Sequence, residues 1–186
     1  MNDLIVLNKP YGVICQFSEH EKHPTLKHYV DMPAFYPAGR LDTDSEGLLL
    51  LTDNGRLQAK IADPRFKQVK TYWAQVEGVS DERKWDMLRR GVDLGDFVTR
   101  PAEVRVLAAG EADGLWERMP PIRVRKSVPD FWVEIKISEG KNRQVRRMTA
   151  KAGFPCLRLV RVAVGRLNLF DLDLKPGEWC FAPHKP

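Results

Sequence analysis

The sequence predicts an α+β fold built on a mixed or mainly antiparallel sheet. Three observations carry that reading. Several segments alternate with a period of two, as half-buried strands do. Leu48–Thr52 is an unbroken aliphatic run that suits a fully buried strand. The few helical stretches fall between the strands in no regular βαβ order.

The elements follow in order. The apolar run from Asp3 to Asn8 enters Lys9-Pro10-Tyr11-Gly12, a strand leading into a turn. Val13–Gln16 is a second short strand. Thr25 is placed to cap a short helix carrying Leu26, Tyr29 and Val30. After Leu48–Thr52, Asp53-Asn54-Gly55 is turn chemistry, and a helix with Leu57 and Ile61 inward follows. Between Lys70 and Glu77, the residues Tyr72, Ala74 and Val76 face one way, and Thr71, Trp73 and Gln75 the other. Ser80 caps a helix through Arg90 that turns Trp85 and Leu88 inward, with Arg89 or Val92 near the core, and Gly91 stops it. Glu103–Leu107 and Phe131–Ser138 alternate as strands. Asn142 caps a helix from Arg143 to Ala152, with Val145, Met148 and Ala152 inward and Arg143, Arg147 and Lys151 aligned on another face. Leu157–Leu169 is a long strand, and Lys175-Pro176-Gly177-Glu178 a turn. The stretch Ala108–Val128 reads as an irregular insertion. Its Arg118, Arg123, Arg125 and Lys126 suit either a solvated loop or contacts to a polyanion such as RNA.

The chain has 186 residues, 43% of them hydrophobic and 30% charged. That is one domain, or one domain of two lobes, able to bury a core without disulfides. No apolar run approaches the ~20 residues that cross a bilayer. Met1–Val6 lacks the basic start and long apolar stretch of a signal peptide. Cys15, Cys156 and Cys180 form no C-x-x-C pair and read as reduced cytosolic thiols, so a cytoplasmic location is expected. The formal net charge is +5, and its distribution is informative. From Lys141 to Arg166 there are eight basic residues (Lys141, Arg143, Arg146, Arg147, Lys151, Arg158, Arg161 and Arg166) and no acid. A solvated helix face usually carries acids for i,i+4 pairing, so this run points toward phosphate binding.

The densest local signal is Gly39-Arg40-Leu41-Asp42-Thr43-Asp44-Ser45-Glu46-Gly47, three acids on a loop entering the aliphatic strand. A structural turn with a salt bridge from Arg40 would explain it equally well. The residues alone do not choose among Asp42, Asp44 and Glu46.

Gly39–Asp42 with Ser45–Thr52 resembles the central motif of the RsuA-like branch of ribosomal RNA pseudouridine synthases. Leu7–Gly12, Lys70–Tyr72 with Val76–Gly78, Glu139–Met148, Leu157–Arg161 and Leu174–Trp179 resemble further motifs of that family, in the right order. Pro120–Ser127 is similar to a subgroup acting on the large ribosomal subunit. Many members carry an accessory RNA-binding domain before the first motif, and this chain starts almost at the catalytic core. Ala74 stands where a larger β-branched residue is common.

The resemblance implies the pseudouridine synthase fold, with approximate lobes at 1–62 and 63–186, and a uridine in 23S ribosomal RNA as substrate. It implies Asp42 as the catalytic aspartate, Arg146 as its cationic partner and Tyr72 as the stacking residue. Arg40, Lys141, Asn142, Arg143, Arg147, Lys151, Arg158 and Arg161 would hold RNA. No cofactor and no metal are expected, the partner is large-subunit ribosomal RNA rather than a membrane, and the chain is expected to act as a monomer. Two rival readings remain: a non-catalytic RNA-binding module, and a metal site from Cys15, His20, His23 and His28, whose spacing fits no standard zinc pattern.

Overall fold

A computed structural model describes residues 3–123, 125 and 127–186. Met1 and Asn2 of the N-terminal reading, and Val124 and Lys126 of the insertion, lie outside the described residues. The strands are β1 (Leu4–Lys9), β2 (Tyr36–Pro37), β3 (Glu46–Thr52), β4 (Lys70–Glu77), β5 (Glu103–Val106), β6 (Asp130–Ile137), β7 (Cys156–Val164), β8 (Leu167–Asn168) and β9 (Trp179–Phe181). The α-helices are α1 (Gly55–Ala62), α2 (Glu82–Arg90), α3 (Gln144–Lys151) and α4 (Leu169–Leu172). The pairing is mixed: β3 and β7 run parallel, and the other pairs described below are antiparallel.

The chain divides into two compact units, residues 1–68 with 160–186 and residues 69–159. This differs from the expected lobes at 1–62 and 63–186. The C-terminal segment returns to the first unit because β9 pairs with β1, Ile5 opposite Phe181.

In the first unit β1 lies between β3 and β9, with Leu4 opposite Thr52 and Lys9 opposite Gly47. Every residue of β1 and β3 is buried, as the unbroken aliphatic run predicts. Strand β3 starts two residues before that run, at Glu46. There it meets β7 in parallel, Glu46 opposite Val160 and Gly47 opposite Arg161. Gly47 has φ 104, and a Cβ at that position would fall inside contact distance of the Arg161 carbonyl oxygen. Only glycine brings the two backbones this close. Val13–Gln16 forms no strand, only a bridge from Ile14 to Thr25. The long strand expected over Leu157–Leu169 breaks at Gly165-Arg166 into the antiparallel pair β7 and β8.

In the second unit β6 pairs antiparallel with β4 along its whole length and with β5 on its other edge. The N–H of Glu77, at the end of β4, donates to Pro155 O at 2.9 Å. Trp85 of α2 is fully buried and stacks on Phe154 at 4.5 Å, with Phe131 edge-on to both rings.

Two caps differ from expectation. Asp81, not Ser80, caps α2, and the Ser80 hydroxyl instead accepts from Trp85 Nε1 at 2.9 Å. Helix α3 begins at Gln144 after Arg143, which adopts a left-handed φ of 51. Arg143 is therefore not on the helix, and the expected Arg143–Arg147–Lys151 row is broken at its first member.

Candidate active site and RNA-contacting residues

The acid-rich loop joins β2 to β3, and its backbone is tied at several points. Leu41 is buried, and its N–H donates to Cys15 Sγ at 3.4 Å. The Thr43 carbonyl accepts from Gly12 N–H at 2.8 Å, and the Asp42 carbonyl from Ser45 N–H at 3.0 Å. The buried Arg161 guanidinium donates to Leu48 O at 2.8 Å and to Arg40 O at 3.4 Å. The loop is thus held by its neighbours at both ends.

Burial separates the three acids that composition could not. Glu46 is 1% exposed on β3, whereas Asp42 and Asp44 are half-buried and Arg40 is exposed. A group that must meet a substrate needs an open side, which leaves Asp42 and Asp44. Lys9, part of the Leu7–Gly12 motif, is fully buried in this unit. Its ammonium donates to Val13 O at 2.8 Å and to Pro10 O at 3.0 Å. Burial pushes Lys9 down to about 8, partly opposed by Cys15, Glu46, Asp44 and Asp42. It is an internal positive charge for the acid loop.

The remaining site residues belong to the second unit. Tyr72 is 7% exposed on β4, opposite Ile135. Arg146 lies half-buried on α3 and donates to Cys156 O at 3.4 Å. The turn before α3 is clamped from inside: Gln144 Nε2 donates to Glu139 Oε2 at 2.6 Å, and Gln144 Oε1 accepts from Lys141 N–H at 3.2 Å. Glu139 Oε1 accepts from Arg100 N–H at 3.1 Å, and the Glu139 carbonyl from Lys70 Nζ at 3.3 Å. With both buried polar side chains satisfied, Lys141, Asn142 and Arg143 are left on the outside, and all three are exposed. Lys151 is exposed as well.

Three of the expected RNA ligands are placed differently. Arg161 is 3% exposed and braces the acid loop from within. Arg158 is 7% exposed; its guanidinium donates to Trp116 O at 2.8 Å and lies 5.8 and 5.9 Å from the Trp116 and Trp132 rings. Both side chains are buried, and each donates to at least one backbone carbonyl. Arg147 donates to Leu94 O at 3.0 Å and pairs through both terminal nitrogens with Asp96, whose carboxyl it holds below the usual carboxylate range. Its guanidinium and the Lys141 ammonium both lie over the Phe97 ring, at 5.4 and 5.7 Å. Asp96 and Phe97 left no sequence signal, since pairing across such a separation is a tertiary fact.

Among the described residues, no group of three or more His, Cys, Asp or Glu could hold a metal ion, and no helix is long and apolar enough to cross a membrane. His20 and His23 lie with ring centroids 5.5 Å apart, while Cys15 is buried against Leu41 N–H.

A family model described as RNA pseudouridylate synthase matches residues 3–151. A protein of Xanthomonas campestris pv. campestris named ribosomal large subunit pseudouridine synthase E is 57% identical over 178 residues, covering 95% of this chain and 93% of the relative. A Vibrio vulnificus protein of the same name is 51% identical, covering 95% of this chain and 73% of the relative. A solved structure titled as a crystal structure of pseudouridylate synthase superposes with a TM-score of 0.76 at 30% identity, covering 96% of this chain and 69% of that one.

Proposed function

The chain belongs to the RNA pseudouridylate synthase family, and from that premise we propose that it isomerises one uridine of 23S ribosomal RNA to pseudouridine. Membership makes it an enzyme of the isomerase class. The large-subunit substrate is supported by the names of its relatives from Xanthomonas and Vibrio.

The observation that favours catalysis over plain binding is the braced loop. A binding module has no use for a half-buried carboxylate whose backbone is tied by Cys15, Gly12 and Arg161. In the proposed reaction Asp42 is the catalytic carboxylate. The bond from ribose C1′ to uracil N1 breaks, the base turns, and C1′ bonds to C5. N1 gains a proton and C5 loses one, so product and substrate are isomers and no electrons are exchanged with a cofactor. Asp42 stabilises the separated fragments, by covalent attack or as a counter-charge. Tyr72 stacks on the extruded uracil and assists proton removal at C5. Arg146 is the cationic partner of the reaction; an arginine in that role keeps a carboxylate ionised and oriented. The nucleotide leaves its helix to react, so the enzyme flips it.

The exposed Arg40, Lys141, Asn142, Arg143 and Lys151 hold the surrounding RNA, joined by Arg147 once it leaves Asp96. Arg158 and Arg161 are not retained in that set. The chain acts as a monomer in the cytoplasm, where its RNA is found.

The test uses chelator-treated protein without added nucleotide. It should convert one uridine of a 23S transcript and leave transfer RNA and small-subunit RNA untouched, as mapped by base-resolved chemistry. Asp42→Asn should abolish turnover while RNA binding persists. Turnover remaining in that variant would move the role to Asp44. Binding by the native chain without product on any RNA would favour the binding-module reading.

A further inference from the structure

We propose that the connection between β5 and β6, through its described residues 107–123, 125 and 127–129, is an RNA-contacting arm, with Arg123, Arg125 and Met119 as its contact residues; this rests on the reading above that the substrate is an RNA. Antiparallel neighbours such as β5 and β6 need only a short turn, and a long connection in a compact domain usually carries function. The arm is fixed at several places. At its start, Leu107 N–H donates to Trp132 O at 2.9 Å, and Glu111 accepts from Arg105 Nη1 at 3.0 Å. In its middle, the Trp116 carbonyl and ring both engage the buried Arg158. Arg118 donates to the carbonyls of Pro120 and Pro121 at 2.8 and 3.2 Å, which locks the turn at the tip. At its end, Arg125 pairs with the buried Glu77 at 3.2 Å, and the Pro129 carbonyl accepts from Gly78 N–H at 2.8 Å.

What this framework displays is cationic and apolar. From Arg118 to Pro129 the chain contains no acid. Arg123 is exposed, the Arg125 side chain is 70% exposed despite its pair, and Met119 at the locked turn is 72% exposed. The exposed methionine stands in the same acid-free stretch as these arginines. Together they suit a partner with phosphates and flat apolar faces, and an RNA loop with an unstacked base offers both. Because Arg118 already closes the turn at Met119 and Glu77 already holds Arg125, docking costs little conformational entropy at those residues.

The test compares native chain, Met119→Ala/Arg123→Gln and the charge control Arg83→Gln, whose side chain is 91% exposed on α2. Each is assayed on the 23S transcript for KM, kcat and the salt dependence of RNA affinity. The arm variant should raise KM about tenfold and flatten the log–log salt slope by roughly 0.7, one phosphate contact. Arg83→Gln should leave both at native values. An arm variant with native KM and slope overturns the proposal, as does an equal effect of Arg83→Gln, which would make the change one of net charge. Failure of the native chain to modify the transcript would strike the isomerase reading instead. RNA affinity and its slope still report on the arm in that event.

Discussion

Lys9 keeps its ammonium fully buried, and its two backbone acceptors do not repay the lost hydration. Burial lowers it to about 8, whereas an unfolded lysine titrates near 10.4. Between those values the unfolded chain holds the extra proton, so stability rises with pH through that window. The penalty is fully present below pH 8 and gone above about 10.4. Urea titrations of native protein and Lys9→Met at pH 7 and pH 10 should therefore differ in their gap. The native chain should gain about 2–3 kcal/mol on the variant over that interval; a constant gap would mean that Lys9 holds its proton as well in the fold as in the unfolded chain, so that burial does not lower it. Gly47 makes an independent point at the same scale. Alanine there meets the Arg161 carbonyl at a φ of 104, so Gly47→Ala should lower the unfolding free energy by more than about 1 kcal/mol.

Helix α2 shows how an element is fastened. Asp81 accepts from Arg83 N–H at its start, and Arg89 reaches Val104 O through two nitrogens, at 3.0 and 2.7 Å. Arg89, which the sequence placed near the core with Val92 as the alternative, is thus a bridge to β5, while Val92 is buried. The apolar anchor is Trp85, stacked on Phe154, and Trp85→Ala should cost about 3–5 kcal/mol by chemical denaturation. Helix α3 supplies the functional counterpart. Asp96 occupies the Arg147 guanidinium in the way a phosphate would. Asp96→Asn should tighten RNA binding and steepen its log–log salt slope by roughly 0.7. Because the pair is largely exposed, its loss should cost under about 1 kcal/mol of stability. Unchanged affinity would mean that Arg147 does not face RNA.

For the molecule as a whole, the order of the chain matters more than any one contact. The first unit is discontinuous: β1 from one end of the chain is paired with β9 from the other. Removing residues 173–186 would strip one edge from a fully buried strand and leave its backbone groups without partners. The truncated chain should lose cooperative unfolding of the first unit, seen as fast amide exchange in β1 and β3 where the full chain is protected.

Periodicity and motif order carried the α+β class, the buried β3, the strands β4 to β6 and the inward faces of α2 and α3, because those depend on neighbours close along the chain. The ordered motifs likewise pointed to the family. Boundaries slipped where two polar residues competed for a cap, as with Ser80 and Asp81, or where a backbone turned left-handed at Arg143. The fate of the basic residues was decided only in three dimensions. Lys141 and Arg161 are both cations in one acid-free run, yet one is exposed and the other is sealed behind the acid loop. A charge is a property of a residue, but its hydration depends on what distant segments bring against it: Trp116 against Arg158, Asp96 against Arg147, and the Leu48 and Arg40 carbonyls against Arg161.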